Sequence, residues 1–204
     1  MTDDHAVVRH GVKQILAEAF KNAVFGEARN AQEALEHIWR EKWDVVVLDL
    51  SLPGRSGLEL LREIRKSRPK LPVLILSMHP ENEYAVRVLK RGAAGYLTKE
   101  SAPEQLVGAV KKVLAGGRFI SPALGERLAA DLAFDGVQPQ ESLSDREFQV
   151  LRLIASGKTV GEIGKELSLS VKTVSTYRAR ILEKMGLRNN AEVMRYAMRH
   201  QLVE

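Results

Sequence analysis

The chain has 204 residues, 45% of them apolar, with 31 Lys and Arg against 26 Asp and Glu and no cysteine. That length allows one large domain or two modest ones around real cores, and the lack of cysteine excludes disulfides and thiolate metal sites and fits a reducing cytoplasm. There is no run of about eighteen apolar residues and no charged-then-apolar leader, which points away from a membrane span or secretion.

Met1 to Asp4 run directly into a helical stripe of Val8, Val12, Ile15, Leu16 and Ala19, with Asp4 placed as its N-cap. Val24 to Glu27 reads as a short strand, and Ala31, Ala34, Leu35, Ile38 and Trp39 mark the next helix. Val45 to Leu48 is a β-branched apolar run ending at Asp49, just before a Pro53-Gly54 turn. Such a run belongs inside a parallel sheet covered on both faces. Leu58, Leu61 and Ile64 mark a third helix. Val73 to Leu76 is a second buried strand, ending at Ser77. Tyr84, Ala85, Val88 and Leu89 form a fourth helix stopped by Gly92. Gly95 to Thr98 is a last strand, ending at Lys99, and Ser101 to Glu104 reads as a capping box opening a fifth helix.

Strands alternating with helices imply βα units and a parallel sheet. Residues 1–116 are therefore expected to form one doubly wound α/β domain that lacks an evident first strand. Residues 117–141 read as a linker with a possible helix at 122–132, the stretch from Asp135 with Gly136 and Pro139 having linker composition. From Leu143 the strand signals vanish. Two capping boxes, Ser144 to Glu147 and Thr159 to Glu162, a turn at 168–170, a helix over 171–185 capped by Ser170, and a last helix capped by Asn190 make residues 142–204 an all-α helix-turn-helix domain.

Three successive parallel strands thus end in a carboxylate, a hydroxyl and an ammonium on one sheet edge, where open α/β sheets bind ligands. Singly, Asp49 would be a turn residue and Lys99 a solvated charge. Together they suit phosphoryl transfer to a carboxylate. Asp49 would be the nucleophile, while Ser77 and Lys99 would hold the phosphoryl oxygens. A hard divalent cation such as Mg²⁺ would complete the site. Phosphohydrolases with a strand-end aspartate often carry a second carboxylate two residues on, and Ser51 stands there instead.

The stretches VVVLDLSLPGRSG, LILS and GAAGYLTKES resemble the receiver domain of two-component response regulators over Asp3 to Ala115. The resemblance implies a flavodoxin-like fold, Asp49 as phosphoacceptor, Ser77 and Tyr96 as switch residues and Lys99 as phosphate-binding lysine. It also implies Asp3, Asp4, Asp49 and the Ser51 carbonyl as Mg²⁺ ligands, and a sensor histidine kinase as phosphoryl donor. Receivers begin with an apolar central strand before the acidic pair, and only Met1 and Thr2 stand there. The expected consequence is that the flanking strands lose a partner and Asp3 and Asp4 sit on a loose terminus, so that the alternative function is a DNA-binding regulator with a phosphorylation-incompetent receiver.

Within residues 170–200, seven Lys and Arg face Glu183 and Glu192, an excess that suits a polyanion. At 100° per residue Val174, Tyr177, Ile181 and Met185 share one face of the 171–185 helix, and Lys172, Thr176, Ala179, Arg180 and Glu183 share the other, a face fit for a DNA major groove. The segment LSDREFQVLRLIASGKTVGEIGKELSLSVKTVSTYRARILEKMGL resembles the LuxR-type helix-turn-helix, and with the receiver it places the chain beside regulators of the NarL/FixJ type. That resemblance implies double-stranded DNA as partner and Ser175, Thr176 and Ala179 as base readers. Lys172, Thr173, Arg178 and Lys184 would contact phosphates, and Val193, Met194, Ala197 and Met198 are candidates to pair two copies in an active homodimer, with at least half of them expected to pack against their own domain instead.

Overall fold

Three apolar runs carry the parallel sheet of the computed structural model, which describes residues 1–133, 139–200 and 202–203. They are β1 (Val46–Leu48), β2 (Val73–Ser77) and β3 (Gly95–Thr98), in the order β1-β2-β3. Leu48 pairs with Ile75, and Ser77 with Thr98. The helices are α1 (Ala6–Ala19), α2 (Ala31–Arg40), α3 (Gly57–Ser67), α4 (Glu81–Lys90), α5 (Ala102–Leu114), α6 (Pro122–Ala133), α7 (Asp145–Ala155), α8 (Val160–Leu167), α9 (Val171–Met185) and α10 (Asn190–Arg199). The chain divides into two units, Met1–Asp131 and Leu132–Glu204.

In the first unit the strands are buried on both faces, as their unbroken apolar runs require. Val47, Leu74, Leu76 and Leu97 join Val12, Leu16, Leu106 and Val110 in one cluster under α1 and α5. Strand alternation turns Val46, Leu48, Val73 and Ile75 to the other face. The crossovers α3 and α4 advance in one direction and so share that face, burying Leu58, Leu61, Ile64, Ala85 and Val88 completely.

The loose terminus expected at the start of the chain is not found. Met1 to Asp3 lie between Ala28 and β1, with parallel bridges from Thr2 to both Ala28 and Leu48. Thr2 donates to the Val47 carbonyl and accepts from Asp49, both at 2.9 Å; Ala28 donates to Met1 and accepts from Asp3 at 2.9 and 3.1 Å. Main-chain bonds on both sides hold Asp3 fully buried, whereas Asp4 is exposed. The expected strand over Val24 to Glu27 is not formed, and pairing there is the single bridge at Ala28. Trp39, expected on the buried stripe of α2, is 55% exposed.

Two expected caps are also displaced. The N-cap of α1 is His5 and not Asp4, with no side-chain capping bond, and the His5 amide donates to the Asp3 carboxylate at 2.8 Å. Ser101 forms no capping box; its hydroxyl donates to the Thr98 carbonyl, tying it to the end of β3.

In the second unit both capping boxes form, Ser144 with Glu147 and Thr159 with Glu162. Ser170 caps α9, and Asn189, one residue earlier than expected, caps α10. Phe148, Leu151, Ile154, Ile163, Val174, Ile181, Val193 and Ala197 fill its core. Of the expected linker, residues 135–138 lie outside the described residues, and Pro139–Ser142 is a 3₁₀ turn. No helix among the described residues is long and apolar enough to cross a membrane.

The turn between α8 and α9 depends on a close approach. Ser168 ends α8 at φ 54°, and Leu169 donates to the Gly164 carbonyl at 2.8 Å. A Cβ at Gly164 would come 2.8 Å from the Leu169 carbonyl oxygen. Gly164→Ala is therefore expected to destabilise the second unit by about 1–3 kcal/mol, read as a lower denaturation midpoint for that unit with the first unit unchanged.

Candidate functional site

Asp49 follows β1, Ser77 ends β2 and Lys99 follows β3, and parallel pairing brings all three to one sheet edge. The Lys99 amide donates to the Ser77 carbonyl at 2.7 Å, extending the β2–β3 pairing to that edge. Because Thr2 bridges Leu48, Asp3 emerges beside Asp49. The Lys99 ammonium stands 2.7 Å from Oδ2 of Asp49 and 2.7 Å from Oδ2 of Asp3. Both carboxylates are fully buried. Asp49 Oδ1 also accepts the Ser51 amide at 3.1 Å.

Two carboxylates against one ammonium leave the site electrostatically unbalanced. Burial pushes the Asp49 carboxyl above its usual range, opposed by the Lys99 hydrogen bond and the Ser51 amide. Burial pulls Lys99 down, but the hydrogen bonds it donates to Asp3 and Asp49 outweigh that and hold the ammonium above its ordinary value. Asp3 Oδ2 has to share that ammonium with Asp49, each at 2.7 Å. Two buried carboxylates on one cation are costly unless further positive charge approaches them. Asp3, Asp4, His5 and Asp49 each offer a ligand atom within 4.8 Å of the others. This oxygen-rich set with an excess of negative charge fits a hard divalent cation. His5, with Nδ1 2.7 Å from Asp4 Oδ1, was not anticipated; its place beside the acidic pair was the only sequence signal.

Ser77 is buried, and its hydroxyl accepts the His79 amide at 3.1 Å. Tyr96 is buried too, and its hydroxyl donates to the His79 carbonyl at 2.7 Å. Both residues thus grip the same loop position, one from each side of its backbone. Ser51, exposed, lies with its hydroxyl 3.5 Å from the His79 imidazole. Behind the carboxylate, α3 starts so close that a Cβ at Gly57 would fall 2.2 Å from the Asp49 carbonyl oxygen.

On α9, Lys172, Ser175, Thr176, Ala179, Arg180 and Glu183 are exposed, while Val174, Ile181 and Met185 are buried and Tyr177 is half-buried. Thr173 is half-buried, its hydroxyl 2.8 Å from that of the capping Ser170. Two expected phosphate contacts have partners inside their own unit. Arg178 Nε donates to Asn190 Oδ1 at 2.6 Å, and Lys184 Nζ donates to Glu147 Oε2 at 2.7 Å. Helical periodicity cannot reveal those partners, which lie on α10 and α7. Val193 and Ala197 are fully buried in the core of their own unit and have no surface to offer a second copy, which corrects their assignment to an interface. Met194 is half-buried and Met198 is 65% exposed.

Residues 1–111 match the family described as response regulator receiver domain, and residues 141–197 match the bacterial regulatory proteins of the luxR family. The chain is 36% identical over 208 residues to the response regulator UvrY of Escherichia coli (strain K12), covering 99% of this chain and 94% of that protein. It is 38% identical over 210 residues to the response regulator GacA of Pseudomonas aeruginosa, covering 100% and 96%. Among solved structures it is similar to the two-component response regulator RcsB in its complex with DNA, at 27% identity and a TM-score of 0.59 over 100% of this chain and 96% of that one. It is also similar to RcsB from Salmonella enterica serovar Typhimurium bound to promoter rprA with the phosphomimetic BeF₃⁻, at 29% identity and a TM-score of 0.62 over 96% and 95%.

The Glu147 carboxyl shows how the second unit reads pH. Burial pushes it up, but hydrogen bonds from Lys184 and Ser144 outweigh that and hold it below the usual carboxylate value. A depressed folded-state value means the contribution is present above the unfolded value and lost as pH falls through the folded one. Lys184→Met is expected to cost the second unit about 1 kcal/mol at neutral pH, and the gap to the parent should close at an acid pH below the usual carboxylate range. Denaturant titrations at both pH values measure it.

Proposed function

The chain belongs to the response regulators that join a receiver domain to a LuxR-type helix-turn-helix domain, and from that premise we propose that Asp49 accepts the phosphoryl group and that α9 reads DNA. The protein is a phosphorylation-controlled DNA-binding regulator of the NarL/FixJ family. The observation that favours a working switch over an inert receiver is Asp3, buried beside Asp49 and sharing its ammonium.

A carboxylate oxygen of Asp49 attacks the phosphorus of a phosphohistidine on a sensor histidine kinase. The new O–P bond forms as the P–N bond breaks, and the donor imidazole leaves with the electron pair. Lys99, already 2.7 Å from Asp49 Oδ2, neutralises a phosphoryl oxygen with little movement. Ser77 turns its hydroxyl from the His79 amide toward a second oxygen. That releases one of the two grips on the loop, and the Tyr96 hydroxyl on the His79 carbonyl readjusts with it. Asp3, Asp4, Asp49 and the Ser51 carbonyl would hold Mg²⁺, which when bound supplies positive charge against the incoming phosphate. Ser51 has no carboxylate to activate water, so the acyl phosphate serves as a signal and not as a step in substrate turnover.

In the output domain Ser175, Thr176 and Ala179 present short side chains to base edges, and Lys172, exposed at the first turn of α9, contacts a phosphate. Arg178 and Lys184 orient α9 through Asn190 and Glu147 before any phosphate contact. Pairing of two copies on paired half-sites would use Met198 and the accessible part of Met194. A kinase donor and a DNA target place this work in the cytoplasm.

With Mg²⁺ and acetyl phosphate the protein is expected to take up one phosphoryl group and Asp49→Asn none; equal labelling of the two would overturn the assignment. DNA affinity should fall steeply with salt, and Lys172→Ala should reduce the slope of log K against log salt by about one, measured by fluorescence anisotropy across a salt series.

A further inference from the structure

Arg9 is a buried guanidinium that the phosphoryl chemistry does not use. It sits on α1 with its side chain only 10% exposed. Its Nη1 donates to the backbone carbonyl of Asp3 at 2.8 Å, and its Nε donates to Glu27 Oε2 at 3.4 Å. Glu27 is held from its other oxygen by Lys13 at 3.0 Å. The next residue, Ala28, accepts the Asp3 amide at 3.1 Å and donates to the Met1 carbonyl at 2.9 Å.

These contacts close a ring. Asp3 is held at its amide by Ala28 and at its carbonyl by Arg9, and Arg9 is anchored to the residue before Ala28. The carbonyl of Asp3 lies where the chain leaves the bridge at Thr2 for α1, so no strand partner is available to it. A buried carbonyl needs a donor, and Arg9 reaches back six residues to supply it. If only packing were at stake, an apolar side chain of similar volume would serve as well or better. What the guanidinium adds is direction: it fixes the plane of the Asp3–Asp4 peptide, from which both acidic side chains project.

We propose that Arg9 is a positioning residue for the cation site, setting the orientation of Asp3 and Asp4 through the Asp3 carbonyl. The proposal rests on the reading of Asp3 as a Mg²⁺ ligand. Mg²⁺ demands near-ideal octahedral geometry and tolerates little misplacement of its carboxylates, so loosening this peptide costs metal affinity before it costs the fold.

The test is isothermal titration of the full chain with Mg²⁺ alone, beside thermal unfolding without metal and phosphorylation by acetyl phosphate across a Mg²⁺ series. Arg9→Met is expected to raise the Mg²⁺ Kd by about tenfold or more, with the lost phosphorylation rate recovered as Mg²⁺ is raised. Glu27→Gln, which leaves Arg9 in place but removes its anchor, should raise Kd less and unfold close to the parent, and it carries the test if Arg9→Met does not fold. Asp3→Asn separates the two readings. If it binds Mg²⁺ as the parent does, the cation site itself is wrong. If it loses the metal while Arg9→Met and Glu27→Gln keep the parental Kd, the site stands and the positioning role of Arg9 is overturned. A fall in the rate at saturating Mg²⁺ with unchanged Mg²⁺ dependence overturns it too.

Discussion

One ammonium shared by two buried carboxylates governs the first unit. Lys99 stands 2.7 Å from both Asp3 and Asp49, each of them withdrawn from water. Removing two anions from solvent is strongly unfavourable, and a single cation cannot balance them. The excess negative charge suits the site to a divalent cation, and the Lys99 charge suits it to an anion. Neither would exist without the parallel sheet, since the three groups arrive from separate segments and meet only because those segments end on the same edge.

The sheet edge was legible in the sequence because a charged or polar residue at the end of an apolar strand is conspicuous. Helix stripes were legible for the same reason, and two capping boxes of the second unit follow their sequence pattern to the atom. What the sequence hid depends on partners far along the chain. Met1 to Asp3 carry no strand signal, yet their backbone is paired on both sides, and main-chain bonding leaves no trace in side-chain pattern. Ser101 fits a capping box by residue type, but the end of β3 competes for its hydroxyl and wins. The resemblance offers Lys184 to a phosphate, and a helical wheel, which sets it beside Tyr177, cannot know that Glu147 waits for it on another helix.

Glu147 illustrates how few side chains set the geometry of α9. One carboxylate accepts the Ser144 amide to close the start of α7 and accepts the Lys184 ammonium from the last turn of α9. Arg178 does the corresponding work toward α10 through Asn190. With Val174, Ile181 and Met185 buried below, α9 is fixed in rotation by apolar contacts and in tilt by two charged ones. The exposed face carries short side chains at Ser175, Thr176 and Ala179, basic ones at Lys172 and Arg180, and the acidic Glu183.

The tight seat of Gly57 against the Asp49 carbonyl oxygen bears on how this sequence is able to drift. Any single-base change in a glycine codon that replaces the amino acid adds at least a methyl-sized branch. At this position that branch would meet backbone, which has no rotamer by which to step aside. Every amino-acid replacement within one base of this codon therefore collides with main chain, and the backbone at Asp49 is shielded from gradual change by a residue that has no side chain at all.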